Sequence, residues 1–299
     1  MAHLFPGIGL EVVGTCNASC SFCVYGHGHR TNRALTDIFT GEVHDRPAGK
    51  IELSLIDAIF EKHPLGSVIF TGLSEPFLAP DRVFYIADKL EAKGGAFAIY
   101  SNGALMTEDI IERLLTYKGF KSIHISLNAV TTEVREEVMG NPLFPAESNL
   151  LRLLEMRREA GCEENVRVGV CMILTVQSFH QDHAFRSKWS QVFSQYSNCN
   201  EPGVFNPTNW AGQAHFPGMR AHGSRYCDQW DGTYPTVSVD GYLYHCCYNA
   251  QAVCGHVLDD VALERYFNRR ELLGVVKGDV ASIPHSICGE CTGIKLMSF

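Results

Sequence analysis

The sequence predicts an α/β fold. An open partial (β/α)6 barrel occupies residues 1–205, a linker follows over 206–226, and a smaller domain with a β-hairpin fills 227–299. Three observations predict this. Short apolar runs alternate with amphipathic stretches through the first two hundred residues. The β-then-α units number six, too few for a closed eight-stranded barrel. Further on, Val237–Tyr244 (VSVDGYLY) turns at Asp240-Gly241, a strong hairpin signal.

The elements follow in order. Ile8–Val13 reads as the first strand and Ile51–Lys62 (IELSLIDAIFEK) has helical spacing. Ser67–Thr71 (SVIFT) is a buried strand, followed by a helix over Asp81–Lys93 and a strand over Ala96–Ser101 (AFAIYS). A helix over Thr107–Tyr117 takes Thr107 as its N-cap, two residues before Asp109. Ser122–Leu127 (SIHISL) is the fourth strand. Helices cover about Thr132–Met139 and Ala146–Ala160, the second stopped by Gly161. Val166–Thr175 (VRVGVCMILT) is the fifth strand, and a helix over His183–Tyr196 precedes a sixth strand near Gly203–Phe205. Right-handed crossovers make the strands parallel, so all their carboxyl ends share one rim.

Length and composition fit a globular core, with 45% hydrophobic residues. A net charge of −8 argues against a nucleic-acid partner, which would require a basic face. Met1 to Gly14 has no basic start and no cleavage signature, and no apolar run reaches the roughly 20 residues that span a bilayer. Cysteine is 12 of 299 residues, too sparse for a disulfide scaffold. The expectation is a cytoplasmic protein with free or metal-bound thiols and no membrane partner.

Cys16, Cys20 and Cys23 stand in a C-x3-C-x2-C string just after the first strand. At this cysteine frequency such a triplet arises by chance roughly 0.02 times. Three thiolates suit a cubane iron–sulfur cluster with one iron left open, because such clusters ordinarily take four cysteines. Structural zinc is the alternative, with His27 or His29 completing the set. Three further loops share the rim: Thr71-Gly72-Leu73-Ser74-Glu75-Pro76, Ser101-Asn102-Gly103 and Ser126-Leu127-Asn128. Each alone reads as a turn. Their common placement makes them one site.

These motifs together resemble the radical S-adenosylmethionine (SAM) superfamily: C-x3-C-x2-C after the first strand, Phe22 before the third cysteine, and a Gly-x-x-Glu-Pro loop after the second strand. The resemblance covers about residues 8–205. It implies a [4Fe–4S] cluster on Cys16, Cys20 and Cys23, with SAM chelating the open iron and being cleaved to methionine and a 5′-deoxyadenosyl radical. Phe22 matches the position against the adenine. Gly72, Ser74 and Glu75 match the loop that holds the methionine amino group, and Ser126 and Asn102 match polar strand ends near the ribose and carboxylate. Leu73-Ser74 replaces the second glycine of the common Gly-Gly-Glu-Pro form. A one-electron donor such as flavodoxin or ferredoxin is the implied protein partner.

The tail carries Cys227, Cys246, Cys247, Cys254, Cys288 and Cys291. Cys227, Cys246, Cys288 and Cys291 make a complete four-thiolate site, for a cluster or for tetrahedral zinc. The arrangement resembles the short auxiliary-cluster extension (twitch, a reduced SPASM domain), which implies a second [4Fe–4S] cluster in a small auxiliary Fe–S domain. Cys247 is left over. A thiol can return a hydrogen atom to a carbon radical, so Cys247 is the candidate catalytic donor, with Cys254 and Cys171 as competitors. The organisation resembles aminoglycoside-pathway members of the family. The spare thiol favours epimerisation of the neomycin C to neomycin B type over dehydrogenation of an aminocyclitol. Peptide maturation is a further reading. The acidic balance suits a cationic small-molecule substrate, for which Glu11, Tyr25, Asn209, Trp210, Asp228 and Asp231 are candidate contacts.

Overall fold

The structure is a computed structural model that describes residues 4–23, 34–206, 235–246 and 249–268. The chain opens with β1 (Gly7–Leu10), β2 (Ala34–Asp37) and β3 (Val43–Asp45). Then α1 (Leu53–Lys62), β4 (Ser67–Phe70), α2 (Pro80–Glu91), β5 (Ala96–Ser101), α3 (Glu108–Thr116) and β6 (Phe120–Ser126) alternate. Next come α4 (Thr132–Met139), α5 (Leu143–Glu159), β7 (Arg167–Ile173), α6 (Asp182–Phe193) and β8 (Gly203–Phe205). The last described elements are β9 (Thr236–Val237), β10 (Tyr242–Cys246), β11 (Asn249–His256) and α7 (Asp260–Phe267).

Six strands run parallel in the order β1-β4-β5-β6-β7-β8. They are the six strands that the alternation predicts, most with ends shifted by one to three residues. Val13 lies beyond the observed end of the first strand, in an isolated bridge to Lys50. Thr107 holds the N-cap position of α3 without a side-chain bond to the helix. Glu108 and Asp109 in the first turn complement the helix dipole instead.

The parallel sheet has two unlike faces, set by the two-residue period of its strands. Leu10, Phe70, Ile99, Ile125 and Val170 point to one side and are fully or almost fully buried. Phe97 stacks on Phe120 at 5.3 Å and meets Phe70 edge-on at 5.8 Å. Burying such a side chain is worth roughly 1.5–3 kcal/mol, and this face carries the core. The register partners on the other side are mostly small or polar and only partly covered: Ser67 and Ala96, Ala98 and Ser122, Tyr100 and His124, Ser126 and Cys171, with Ile69 beside Ala98 as an apolar member. Parallel sheets ordinarily bury apolar residues on both faces. This second face is instead largely polar and only half-buried.

Two features were not legible in advance. β2 and β3, of four and three residues, extend the sheet as an antiparallel pair. The C-terminal hairpin joins the same sheet, because β9 pairs parallel with β1 (Gly9↔Thr236, Leu10↔Val237). β10 returns antiparallel (Leu243↔Val237), β11 follows it, and β11 pairs with β2. The turn lies at Asp240-Gly241 as expected: Ser238 N–H donates to Tyr242 O at 2.9 Å and Tyr242 N–H to Ser238 Oγ at 2.9 Å. α7 closes over the amino end of β1, where Phe267 stacks on Phe5 at 4.8 Å. Among the described residues no helix is long and apolar enough to cross a membrane.

Candidate active site

The cysteine loop leaves β1 and docks on the carboxyl end of α4. Ser19 N–H and Ser21 N–H donate to Met139 O and Val138 O, each at 2.8 Å. α4 stops at Gly140, whose φ of +71° is a left-handed conformation that glycine adopts without strain. A Cβ there would lie 2.2 Å from Ser19 Oγ, so the helix end and the loop fit only with glycine. Cys16, Cys20 and Phe22 pack against the small cluster of Ala18, Val138 and Met139.

The thiols feel one another. Burial pushes Cys16 up to about 11, with further repulsion from Glu75 and Cys23. Cys20 is pushed up by burial first and by Cys23 and Cys16 next. Among the described residues no three His, Cys, Asp or Glu side chains already stand as a metal-holding set. The loop brings the three thiols within electrostatic reach of each other, and a positively charged iron–sulfide core would gather them as thiolates, making the ligated centre anionic.

The loop after β4 is tied down from two sides. Glu75 is buried, and its Oε1 accepts from Ser101 Oγ at 2.7 Å and Phe77 N–H at 3.2 Å, its Oε2 from Asn102 N–H at 2.8 Å. Burial raises its pKa, and these donors oppose the shift. The carboxylate thus clamps its loop to the end of β5. Glu11, expected as a substrate contact, is instead fully buried in an ion pair with Arg46 at 2.9 Å. It accepts from Tyr244 Oη at 3.1 Å and Leu73 N–H at 2.7 Å. Gly72 lies across it at φ +116°, where a Cβ would be 2.4 Å from Glu11 Cγ. Leu73 is buried, whereas Gly72 is exposed and Ser74 half-buried, so the rim of the loop faces outward with its polar groups.

Asn102 joins the second and third loops. Its Nδ2 donates to Asn17 Oδ1 at 2.7 Å and lies 3.9 Å from Cys16 Sγ. Ser126 stands at the end of β6 with its Oγ 3.6 Å from Cys171 Sγ. Cys171 is therefore on the open face and not against the helices. Cys254, its rival, is fully buried in the core, 4.0 Å from His245 Nδ1.

Sequence reasoning missed Arg135. It is completely buried on α4, donating to Leu127 O at 2.7 Å, Asn102 O at 2.9 Å, Ser126 O at 3.2 Å and Asn141 Oδ1 at 3.1 Å. One guanidinium thus holds the carboxyl ends of β5 and β6 together. Among the described residues no carboxylate pairs with it, and burial brings its pKa down to about 10. A buried cation is costly, and Glu75 and Cys20 offset its charge only at a distance. Thiolates and a ligand carboxylate at this rim would add negative charge. The donor set and this cation both fit an anionic iron–sulfur centre with an amino-acid ligand.

The remaining expected site residues separate by position. Cys246 ends β10. β10 runs opposite to β9 and β1, so Cys246 points toward the amino end of β1 while Cys16 follows its carboxyl end. Cys227, Cys247, Cys288 and Cys291, with Tyr25, Asn209, Trp210, Asp228 and Asp231, lie outside the described residues.

Comparison with known proteins bears on this site. The chain is 24% identical over 174 residues to the tungsten-containing aldehyde ferredoxin oxidoreductase cofactor-modifying protein of Pyrococcus furiosus, covering 58% of this chain and 44% of that protein. It is 27% identical over 128 residues to the dual-specificity RNA methyltransferase RlmN of Bdellovibrio bacteriovorus, covering 42% and 29%. It thus spans less than half the length of either. The fold is similar to Streptococcus suis SuiB bound to precursor peptide SuiA (TM-score 0.59, 13% identity, 89% of this chain and 65% of that one). It is also similar to anSMEcpe with bound AdoMet (TM-score 0.56, 14% identity, 94% and 84%). Residues 10–185, more than half of the sequence, match the radical SAM superfamily, and the chain belongs to it.

Proposed function

We propose that this radical SAM enzyme is an epimerase of an aminoglycoside, of the kind that turns neomycin C into neomycin B. Family membership brings SAM and a [4Fe–4S] cluster as cofactors. Cys16, Cys20 and Cys23 would hold that cluster, and Phe22, Gly72, Ser74, Glu75, Asn102 and Ser126 would surround SAM. Bound there, the two supply a carbon-centred radical able to take hydrogen from a sugar C–H bond. Of the chain's own residues, Arg135 ties the ends of β5 and β6 together and Glu75 ties its loop to β5, which would keep the rim in one geometry for the substrate. Cys247 would return a hydrogen atom from its thiol to the opposite face of that carbon. The resulting sulfur radical then takes an electron and a proton, the electron from a one-electron donor such as flavodoxin or ferredoxin. Cys227, Cys246, Cys288 and Cys291 would hold a second cluster.

The observation that carries this reading is the open sheet face. It offers hydroxyl, imidazole and thiol groups among mostly small residues, on strands whose carboxyl ends carry the site loops. That lining suits a compact hydroxylated substrate. The net charge of −8 supports a cationic one. Glu11 and Glu75 are already committed, so contacts to ammonium groups fall to Asp228 and Asp231.

An anaerobic assay with SAM, reductant and neomycin C in deuterated water tests the proposal. Solvent deuterium at one inverted carbon is the expected result, and Cys247→Ala should still cleave SAM but give no inverted product. Oxidised product without deuterium would instead identify an aminocyclitol dehydrogenase. Peptide maturation is the second reading, favoured by the fold likeness to a protein solved with its precursor peptide. Co-purification with a short precursor peptide and inert neomycin C would replace the first reading by this one.

A further inference from the structure

Below the Ser126–Cys171 layer, the open face carries a second polar layer. Tyr100 and His124 are register partners on β5 and β6, with rings stacked at 5.2 Å and an interplanar angle of 17°. Tyr100 is 48% exposed, an aromatic plate standing open on a parallel sheet. Its hydroxyl has no hydrogen-bond partner among the described residues. Asn200 Nδ2 lies 3.2 Å from His124 Nε2. An amide nitrogen only donates, so Nε2 accepts and the imidazole proton sits on Nδ1. Burial holds His124 below the ordinary imidazole pKa, which keeps the ring neutral.

Glycine at 169 makes room for this arrangement. It is the β7 register partner of His124. A Cβ there would lie 2.7 Å from His124 Nδ1 and 3.2 Å from Asn200 Nδ2. Any larger residue would force the imidazole to shift and crowd the carboxamide.

We propose that Tyr100, His124 and Asn200 form a binding subsite for a saturated hydroxylated ring, an amino-sugar or aminocyclitol unit of the substrate. The identity of the substrate rests on the aminoglycoside reading, whereas the chemistry of the subsite rests on these three residues. The Tyr100 ring covers an apolar C–H face and can also receive an ammonium. The phenol, the Nδ1–H and the carboxamide oxygen supply both donors and acceptors, matching hydroxyl groups that do both. These three groups carry no formal charge, so the subsite reads hydroxyls rather than phosphate or carboxylate. His124 precedes Ser126 by two residues, about 7 Å along a strand. That is about the width of one sugar ring, so a ring held here presents its upper edge to the Ser126–Cys171 layer.

Calorimetric titration of the reconstituted holoenzyme with SAM tests this, using neomycin C, 2-deoxystreptamine and myo-inositol as probes. Tyr100→Ala and Asn200→Ala should each weaken ring binding at least about tenfold, one to two side-chain contacts' worth. Tyr100→Phe, which keeps the stack and loses only the hydroxyl, should weaken it less. SAM affinity and melting temperature should stay near wild type, which separates loss of the subsite from loss of the fold. If wild type ignores neomycin C but binds another ring, and the variants lose it, the subsite stands and the aminoglycoside reading falls. If wild type binds neomycin C and the variants bind it equally well, the subsite is overturned and the epimerase reading survives. Binding of none of the three rings overturns both.

Discussion

Arg135 is the residue on which most of the rim depends. It satisfies three backbone carbonyls and one side chain at the ends of β5 and β6. Arg135→Met would leave these buried acceptors unmet, at about 3 kcal/mol in total. A drop of that size in chemical denaturation is the expected outcome, and Arg135→Lys should recover less than half, because an ammonium lacks the planar fork. Wild-type stability in Arg135→Met would contradict the role. A sequence signal for it exists: with Val138 and Met139 it occupies the buried face of α4 at helical spacing. Glu11 had no such signal, because its partner Arg46 lies in a stretch without periodicity. His63 supplies a pH dependence. Its Nδ1 accepts from Phe5 N–H at 3.4 Å and its Nε2 donates to Val257 O at 3.1 Å, so the buried ring is neutral and its pKa is lowered by burial. The unfolded chain binds that proton near pH 6.5 and the folded chain only at lower pH, so stability is full above 6.5 and falls below it. The denaturation midpoint should drop between pH 7 and 5.5, and His63→Gln should make that drop smaller, with His124 and His256, also lowered by burial, contributing the rest. An unchanged slope would remove His63 as the cause.

At the scale of elements, the helices and parallel strands were legible because their binary pattern is strong. Ala96–Ser101 and Thr132–Met139 coincide with their expected bounds. β2 (ALTD) and β3 (VHD) were not, since so few residues carry no usable alternation and only pairing with β11 and with each other makes them strands. The docking of the cysteine loop on α4 belongs to this scale too. Gly140→Ala would put a methyl group 2.2 Å from Ser19 Oγ at a left-handed backbone position. It should lower the iron retained by the N-terminal site by more than half after anaerobic reconstitution, with little change in helical circular dichroism. Full iron loading in that variant would mean that the loop does not need the helix end.

For the whole molecule, the sheet is continuous from β3 to β8 through β9, β10 and β11. The pairing of β1 with β9 joins residues more than two hundred positions apart, and local pattern says nothing about such partners. Sequence therefore revealed the hairpin but not where it attaches. A chain cut after Phe205 would lose β9 from the edge of β1, and with it Val237, Leu243, Val253 and Leu263 from the core. Such a truncation should be insoluble or aggregate, as an uncovered apolar edge does. A stable, cluster-loading fragment of residues 1–205 would show that the N-terminal part stands alone. If Cys16, Cys20 and Cys23 hold a cluster with one iron left for SAM, iron analysis and electron paramagnetic resonance of the reduced Cys246→Ala/Cys288→Ala/Cys291→Ala protein should give about four irons per chain and a cluster signal that changes shape when SAM is added. A protein without a cluster, or a signal indifferent to SAM, would rule that assignment out.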